Sequence, residues 1–403
     1  MRTNIISLFF FLTFNISSQE LVQFSMGSGY YYDIYYSLSE GLIAYPERNN
    51  WELAFSTNYE NNSIRINSGN NVTLFEVSNN IEEWDQISSM PSNAIQMRNS
   101  NLSWNVGAFP SSSSNKFDDG WGYYNTESQI IEGQRIYIIN YGNSTKKIKI
   151  NSLSNNVFSF TVANLDGSSE QTQSINIDLY DTKKFIYYSL QNMEILDREP
   201  AQEDWDIVFT KYEADLNQEV GGGELFYNVT GALTNNNLTY QYTGFLDVNP
   251  VLVSSEMSSN IDVIGWDWKE YAGGYTIVPN RSYFILNQDE TILYKIVFQS
   301  FSGGSSGGNC SFTIEQLPYD NSSIELFSKN DITIYPNPNN GSFYISYECN
   351  DCTLNIVNYS GQLILSQKFE NQMYADLTHF KTGLYFINLV SEKTNIKTKV
   401  FIQ

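Results

Sequence analysis

The stretch Trp205-Asp206-Ile207-Val208-Phe209-Thr210 decides the fold. In an extended chain successive side chains point to opposite faces. Trp205, Ile207 and Phe209 then share one face, and Asp206, Val208 and Thr210 the other. The pattern predicts a strand with one heavily aromatic, buried face. An upstream stretch, Trp51-Glu52-Leu53-Ala54-Phe55, echoes it. The same tetrapeptide precedes each copy at a similar distance, as Tyr35-Tyr36-Ser37-Leu38 and as Tyr187-Tyr188-Ser189-Leu190. An aromatic strand, a turn and a Trp-led strand, used twice, read as two related β-units.

The 403 residues give room for two or three domains, at about 100–200 residues each. The aromatic share is 15%, mostly 29 Tyr and 25 Phe, residues that favour pleated, half-buried surfaces. Asn, Ser and Thr fill the intervals, which suits turns and loops. The fold class is all-β: two related antiparallel, sandwich-like units followed by a small C-terminal β-sandwich. Lys and Arg number 22 against 44 Asp and Glu, a net charge of −22. Such a chain repels phosphate backbones and anionic headgroups, which excludes nucleic acid as a partner.

Met1 to Gln19 reads as a secretory signal, with Arg2 ahead of an apolar run from Ile5 to Phe14 and small Ser17 and Ser18 for cleavage. No later run reaches the roughly 20 apolar residues of a membrane helix. Residues 20–165 then form the first β-unit and 166–318 the second. Alternating stretches include Val72–Val77, Arg135–Asn140, Val157–Val162, Leu225–Val229, Leu238–Phe245, Tyr283–Leu286 and Tyr294–Phe298. Residues 319–330 are polar and read as a linker.

The second unit resembles the HmuY-like family of secreted haem-binding β-proteins. The stretches that carry this are Trp205–Tyr212, Thr243-Gly244-Phe245-Leu246, Ile264-Gly265-Trp266-Asp267-Trp268-Lys269 and Tyr294-Lys295-Ile296-Val297-Phe298, in that order. The first unit matches more loosely. The resemblance implies a haem or porphyrin ligand. The founder type of that family holds iron with paired histidines, and some relatives use methionines. The only histidine here is His379, far downstream, and the second unit's thioethers are Met193 and Met257.

After the linker, Ile332-Thr333-Ile334-Tyr335-Pro336-Asn337-Pro338-Asn339-Asn340-Gly341 leads into alternating strands. Ser360-Gly361-Gln362-Leu363 and Gly383-Leu384-Tyr385-Phe386-Ile387 follow. Residues 331–403 resemble the C-terminal sorting domain of the type IX secretion system, with Pro336, Asn337, Pro338, Gly341, Gly361 and Gly383 as its motif. The resemblance implies a small sandwich with Pro at its entry and a strand at its end. It also implies passage across the outer membrane by the type IX machinery, to secretion or attachment at the cell surface.

No catalytic constellation is visible. With His379 in the sorting domain, the globular part lacks the base of a Ser-His-Asp or Cys-His site and has no His-rich metal site. Gly303-Gly304-Ser305-Ser306-Gly307 fits the nucleophile-elbow pattern, but it sits between two strands with no helix to follow, so a hairpin loop is expected. Glu203, Asp204 and Asp206 cluster near Trp205, and alternation places them as strand-edge charges in solvent. Asp166-Gly167 lacks the other oxygens of a calcium loop and reads as a turn. Cys349 and Cys352 form a single CxxC, expected as a local disulfide at a hairpin tip in an exported protein.

These readings predict a secreted or cell-surface, non-catalytic binding protein. Its ligand is a porphyrin, another flat molecule or a glycan, since exposed Trp and Tyr stack on flat rings and sugars. Trp266, Trp268 and Met257 are the candidate ligand-binding residues, with Trp104 and Trp121 as further aromatic candidates. No metal and no cofactor beyond haem are indicated. The alternative is a structural or adhesive surface protein with no small ligand. A carboxylate hydrolase would need two acidic side chains facing each other across a cleft, about 5–9.5 Å apart.

Overall fold

Each Trp-led strand pairs with the tyrosine strand of the other repeat. In the computed structural model, Ile207–Val220 lies antiparallel to Ile34–Ser37, with Ile207 opposite Tyr36 and Val208 opposite Tyr35. Reciprocally, Leu53–Ser56 lies antiparallel to Phe185–Ser189, with Leu53 opposite Tyr188 and Ala54 opposite Tyr187. The structure describes residues 19–403 except 221–222, 248, 251, 253, 320–332, 338, 348–351, 359–361 and 391–394. The expected signal segment and most of the linker lie outside the described residues, as do Pro338, Cys349 and Gly361. Among the described residues no helix is long and apolar enough to cross a membrane.

The exchange reaches the side chains. Asp206 accepts the Leu38 amide at 2.8 Å, while its own amide donates to Tyr36 at 2.9 Å. Glu52 accepts the Leu190 amide at 2.6 Å, and its amide donates to Tyr188 at 3.0 Å. Trp205 meets Tyr35 edge-on at 5.1 Å, and Trp51 meets Tyr187 edge-on at 4.9 Å. Tyr-Tyr-Ser-Leu thus recurs because its Leu amide caps a carboxylate and its first ring packs on an indole.

The exchange moves the expected boundary between the units. The described residues up to Tyr319 form one compact unit, with two cores that do not divide at residue 165. One core joins Leu53, Phe55 and Ile64 to Phe158, Phe160, Ile186 and Tyr188. It fills the space between a four-stranded sheet (Glu194–Leu196, Phe185–Ser189, Leu53–Ser56, Ile64–Ile66) and an eight-stranded sheet drawn from residues 73–176. The other joins Ile34, Tyr36 and Leu38 to Ile207, Phe209, Tyr283, Phe298 and Phe312. It lies between a second four-stranded sheet (Gly223–Thr234, Ile207–Val220, Ile34–Ser37, Gly41–Ala44) and a five-stranded sheet. That sheet runs Glu20–Ser25, Asn309–Leu317, Leu293–Phe301, Arg281–Leu286, Thr239–Thr243. The first sandwich therefore ends near residue 200, and the second takes both chain ends of this unit.

The deciding stretch needs a correction. A bend at Asp206 puts the start of the strand at Ile207 and breaks the alternation there. Trp205 joins Val208, Tyr212 and Leu233, while Ile207 and Phe209 face the other core. Both faces are buried, because each four-stranded sheet packs on its own sandwich and on the other four-stranded sheet. Asp206 is 7% exposed and not in solvent, whereas Glu203 and Asp204 are exposed as expected.

The seam between the two four-stranded sheets is polar at its centre. The Tyr35 and Tyr187 hydroxyls lie 3.4 Å apart. Arg198 pairs with Asp33 at 2.7 Å, with both side chains 5% exposed, and Thr210 Oγ1 donates to Asp33 at 2.6 Å. Glu199 accepts from the Tyr187 hydroxyl at 2.7 Å and from the Lys184 amide at 2.6 Å. Burial raises the Glu199 carboxyl above its ordinary value.

Residues 320–403 form a separate compact unit. Its two sheets are Thr333–Tyr335, Ser342–Ser346, Gln372–Asp376 and Leu363–Phe369, Cys352–Asn358, Gly383–Val390, Asn395–Ile402. Phe343, Ile345, Leu354, Ile356, Ile387 and Leu389 fill it. This is the small sandwich expected, ending in a strand. Pro336 follows a cis peptide bond, and Asn337 Oδ1 accepts the Phe401 amide at 3.0 Å. Gly341 has φ +100°, and a Cβ there would sit 2.8 Å from Thr378 Cα, so only glycine fits. Gly383 also has a positive φ. Cys352 is disulfide-bonded and Cys310 is a free, buried thiol.

Candidate functional site

The loop Val263–Asp267 is held against the second sandwich by two glycines. Gly265 has φ +61° and exchanges backbone hydrogen bonds with Ala232 at 2.9 and 3.1 Å. A Cβ on Gly231 would lie 2.3 Å from the Gly265 carbonyl oxygen, so the strand needs glycine to admit the loop. Lys269 Nζ donates to the Trp266 carbonyl at 3.2 Å and to that of Thr230. Burial drops the Lys269 ammonium to about 7.

From this anchored loop the two tryptophans point differently. Trp268 is 1% exposed, lies flat on Phe298 at 3.8 Å and donates Nε1 to Gly265 at 3.2 Å. It is a core residue. Met257 packs in a third cluster with Phe284, Leu286 and Leu293. The expected grouping of Trp266, Trp268 and Met257 is therefore not formed. Spacing of two in an extended chain suggests a shared face, but the turn at Gly265 and the packing of Trp268 separate them. Trp121 is fully buried, and Trp104 Nε1 donates to the Thr234 carbonyl at 2.8 Å.

Trp266 reaches an open cleft. Asn101, Leu102, Asp215, Gln241, Asp262 and Asp267 line it beside the indole, around a space of about 450 Å³. Both sandwiches contribute. Asn101 and Leu102 come from a loop organised by buried Arg65, whose Nη2 donates to Ser100 at 2.7 Å and Nη1 to Ser103 at 2.9 Å. The Arg65 guanidinium also lies 5.1 Å over the Trp104 ring. Across the cleft, Asn101 Nδ2 donates to Asp262 Oδ2 at 2.6 Å, and the Ile261 amide donates to Leu102 at 3.1 Å. Burial raises the Asp262 carboxyl above its ordinary value, and nearby Asp267 adds to the rise. Asp267 is exposed and pairs with Arg281 at 3.0 Å. The arrangement offers one flat apolar face, two side-chain amides and carboxylate acceptors, a set suited to hydroxyl-rich ligands.

Sequence reading singled out Trp266 here but missed Asn101, Gln241 and Asp262, which lie far apart in the chain. Asp267, inside Trp-Asp-Trp, was the one polar member with a local signal. A second concavity, about 560 Å³, is lined by Tyr141, Lys146, Gln171 and Met193 among others. Among the described residues no three His, Cys, Asp or Glu side chains are grouped to hold a metal. Gly304–Ser306 is a 3-10 turn joining two paired strands, the hairpin loop expected.

Residues 333–403 match the secretion system C-terminal sorting domain. The protein is thus exported through the type IX secretion system, to the cell surface or the exterior. No curated protein matches the chain. Among solved structures, it is similar to PorZ of Porphyromonas gingivalis, described as an essential bacterial surface component of the type-IX secretion system. Identity is 13%, the match covers 72% of this chain and 51% of that one, and the TM-score is 0.17. A polysaccharide lyase is 6% identical over 88% of this chain and 40% of its own, with a TM-score of 0.15. The chain spans about half of the first of these proteins and less of the second. Neither likeness reaches the level at which a shared fold can be argued.

Proposed function

We propose that this exported protein is a non-catalytic binding protein of the cell exterior, and that the Trp266 cleft takes a neutral glycan. The observation that carries this is the half-buried Trp266 indole set beside Asn101, Gln241 and Asp262 in an open cleft. An indole stacks on the C–H face of a sugar, and amides and carboxylates bind its hydroxyls. The acidic wall and the net charge of −22 disfavour uronates and sulfated chains. Titrating the purified chain with soluble neutral polysaccharides (a β-glucan, a xylan, a mannan) tests it by calorimetry. Trp266→Ala is expected to weaken binding tenfold or more, about 1.4 kcal/mol, with the melting temperature nearly unchanged. Reducing ends released during the titration would instead show that the chain hydrolyses the glycan.

The HmuY-like resemblance supports a second reading. Met193, unlike Met257, lines a concavity, together with Tyr141 and Lys146. Haemin added to the full chain would then give a shifted Soret band that Met193→Leu removes. No shift in the wild type ends the porphyrin reading and leaves the glycan reading untouched.

A further inference from the structure

We propose that the seam between the two four-stranded sheets holds a small inorganic anion, chloride in the exterior milieu. A cavity of about 70 Å³ lies there, walled by Tyr35, Val208 and Leu233 on one side and Ala54, Phe185 and Tyr187 on the other. That is room for a few water-sized spheres or one halide with water, and too little for a sugar ring.

The cavity is cationic inside a strongly anionic protein. Its charged lining is Arg65, Arg198 and Lys211 against Asp33. Arg198 and Thr210 already satisfy Asp33. Arg65 is held by neutral carbonyls, which accept its hydrogen bonds but do not cancel its charge. Lys211 forms no ion pair among the described residues, and a second cation, Arg48, lies close enough to disfavour its charge further. Glu199, the seam's other carboxylate, is taken up by the Tyr187 hydroxyl and the Lys184 and Phe185 amides and does not line the cavity, so Arg65 and Lys211 have no carboxylate partner on its wall, where the low dielectric makes that costly.

The unused hydrogen-bonding groups agree. Arg198 and Trp51 line the cavity, and Arg198 Nε and Trp51 Nε1 have no protein partner, although each atom is buried. The Arg198 side chain is 5% exposed. Both of these groups can only donate. Water would satisfy such donors but would leave the charge. A halide accepts from both and cancels one positive charge. This reading is independent of the Trp266 cleft, and either stands without the other.

The test compares melting temperatures of the full chain in sodium chloride and sodium gluconate at equal ionic strength, since gluconate is too large for the cavity. A saturable rise of a few degrees with chloride is expected, as for any ligand of the folded state alone. Lys211→Met should at least halve that rise, and Lys116→Met, far from the seam, should keep it. Crystals grown in bromide should show an anomalous peak within hydrogen-bonding distance of Arg198 Nε. Equal melting temperatures in the two salts, an undiminished response in Lys211→Met, or water alone at the bromide position would each overturn the proposal.

Discussion

The two exchanged strand pairs use the same parts and are put to different uses. In both, a tryptophan packs edge-on against a tyrosine of the opposite repeat, and a buried carboxylate receives a leucine amide. Around Leu53–Ser56 the partner sheet has eight strands, and Phe158 and Phe160 from it are completely buried. Around Ile207–Val220 the partner sheet has five, and the Gly265 loop closes the remainder, leaving Trp266 at the rim. The repeat builds the seam, and the unequal outer parts build the cleft. Structure is conserved between the copies where they meet and diverges where they face solvent.

The largest test of this comparison removes a matched core ring from each copy. Phe55→Ala and Phe209→Ala should each cost about 3–5 kcal/mol in urea unfolding. Because the seam joins the two sandwiches, either change should lower one shared transition of residues 19–319. Two separate transitions would break the picture of interdependent halves.

Next come the carboxylates. Glu52→Ala strands the Leu190 and Gln191 amides, and Asp206→Ala strands that of Leu38. Each should cost about 1–3 kcal/mol, and a difference between them beyond twofold would show that the two locks are not equivalent. The isosteres read the charge. Burial raises both carboxyls above their ordinary values of 4.5 and 3.8. The folded state therefore keeps these protons to higher pH than the unfolded state does. The associated stability is full below those ordinary values and is lost as pH rises through the raised ones. In Glu52→Gln and Asp206→Asn that part of the decline should vanish, seen as flatter urea midpoints from pH 4 to 8.

The smallest contrast sits at the end of the repeat. Thr210 donates to Asp33 at 2.6 Å, whereas Ser56, its counterpart, only accepts the Asn58 amide at 3.3 Å. Thr210→Val should cost about 1.5 kcal/mol and Ser56→Ala about 0.5, since a bond to a charged group is worth more. Equal costs, measured by the same melts, would mean that the Asp33–Arg198 pair does not depend on the hydroxyl.

Much of this was open to local reading. Alternation in Tyr283–Leu286 and Tyr294–Phe298 marks strands of the five-stranded sheet that the structure forms at those positions. The recurrence of Tyr-Tyr-Ser-Leu and the Trp-led strand announced a repeat. What it hid was the exchange, because a strand's own residues state its faces but not its partner. Trp266 was legible as an aromatic in a compact stretch. Its cleft partners were not, since Asn101 and Asp262 meet only through the Arg65-held loop.

The sequence by itself determined the all-β class, the doubled unit and the sorting tail, because side-chain alternation and turn chemistry act within a few residues. Only the tertiary structure decided that the halves interlock, that Asp206 is buried and that Trp266 and Trp268 part company. Those outcomes depend on contacts between residues from about thirty to more than a hundred positions apart, and no short window of sequence carries their energy.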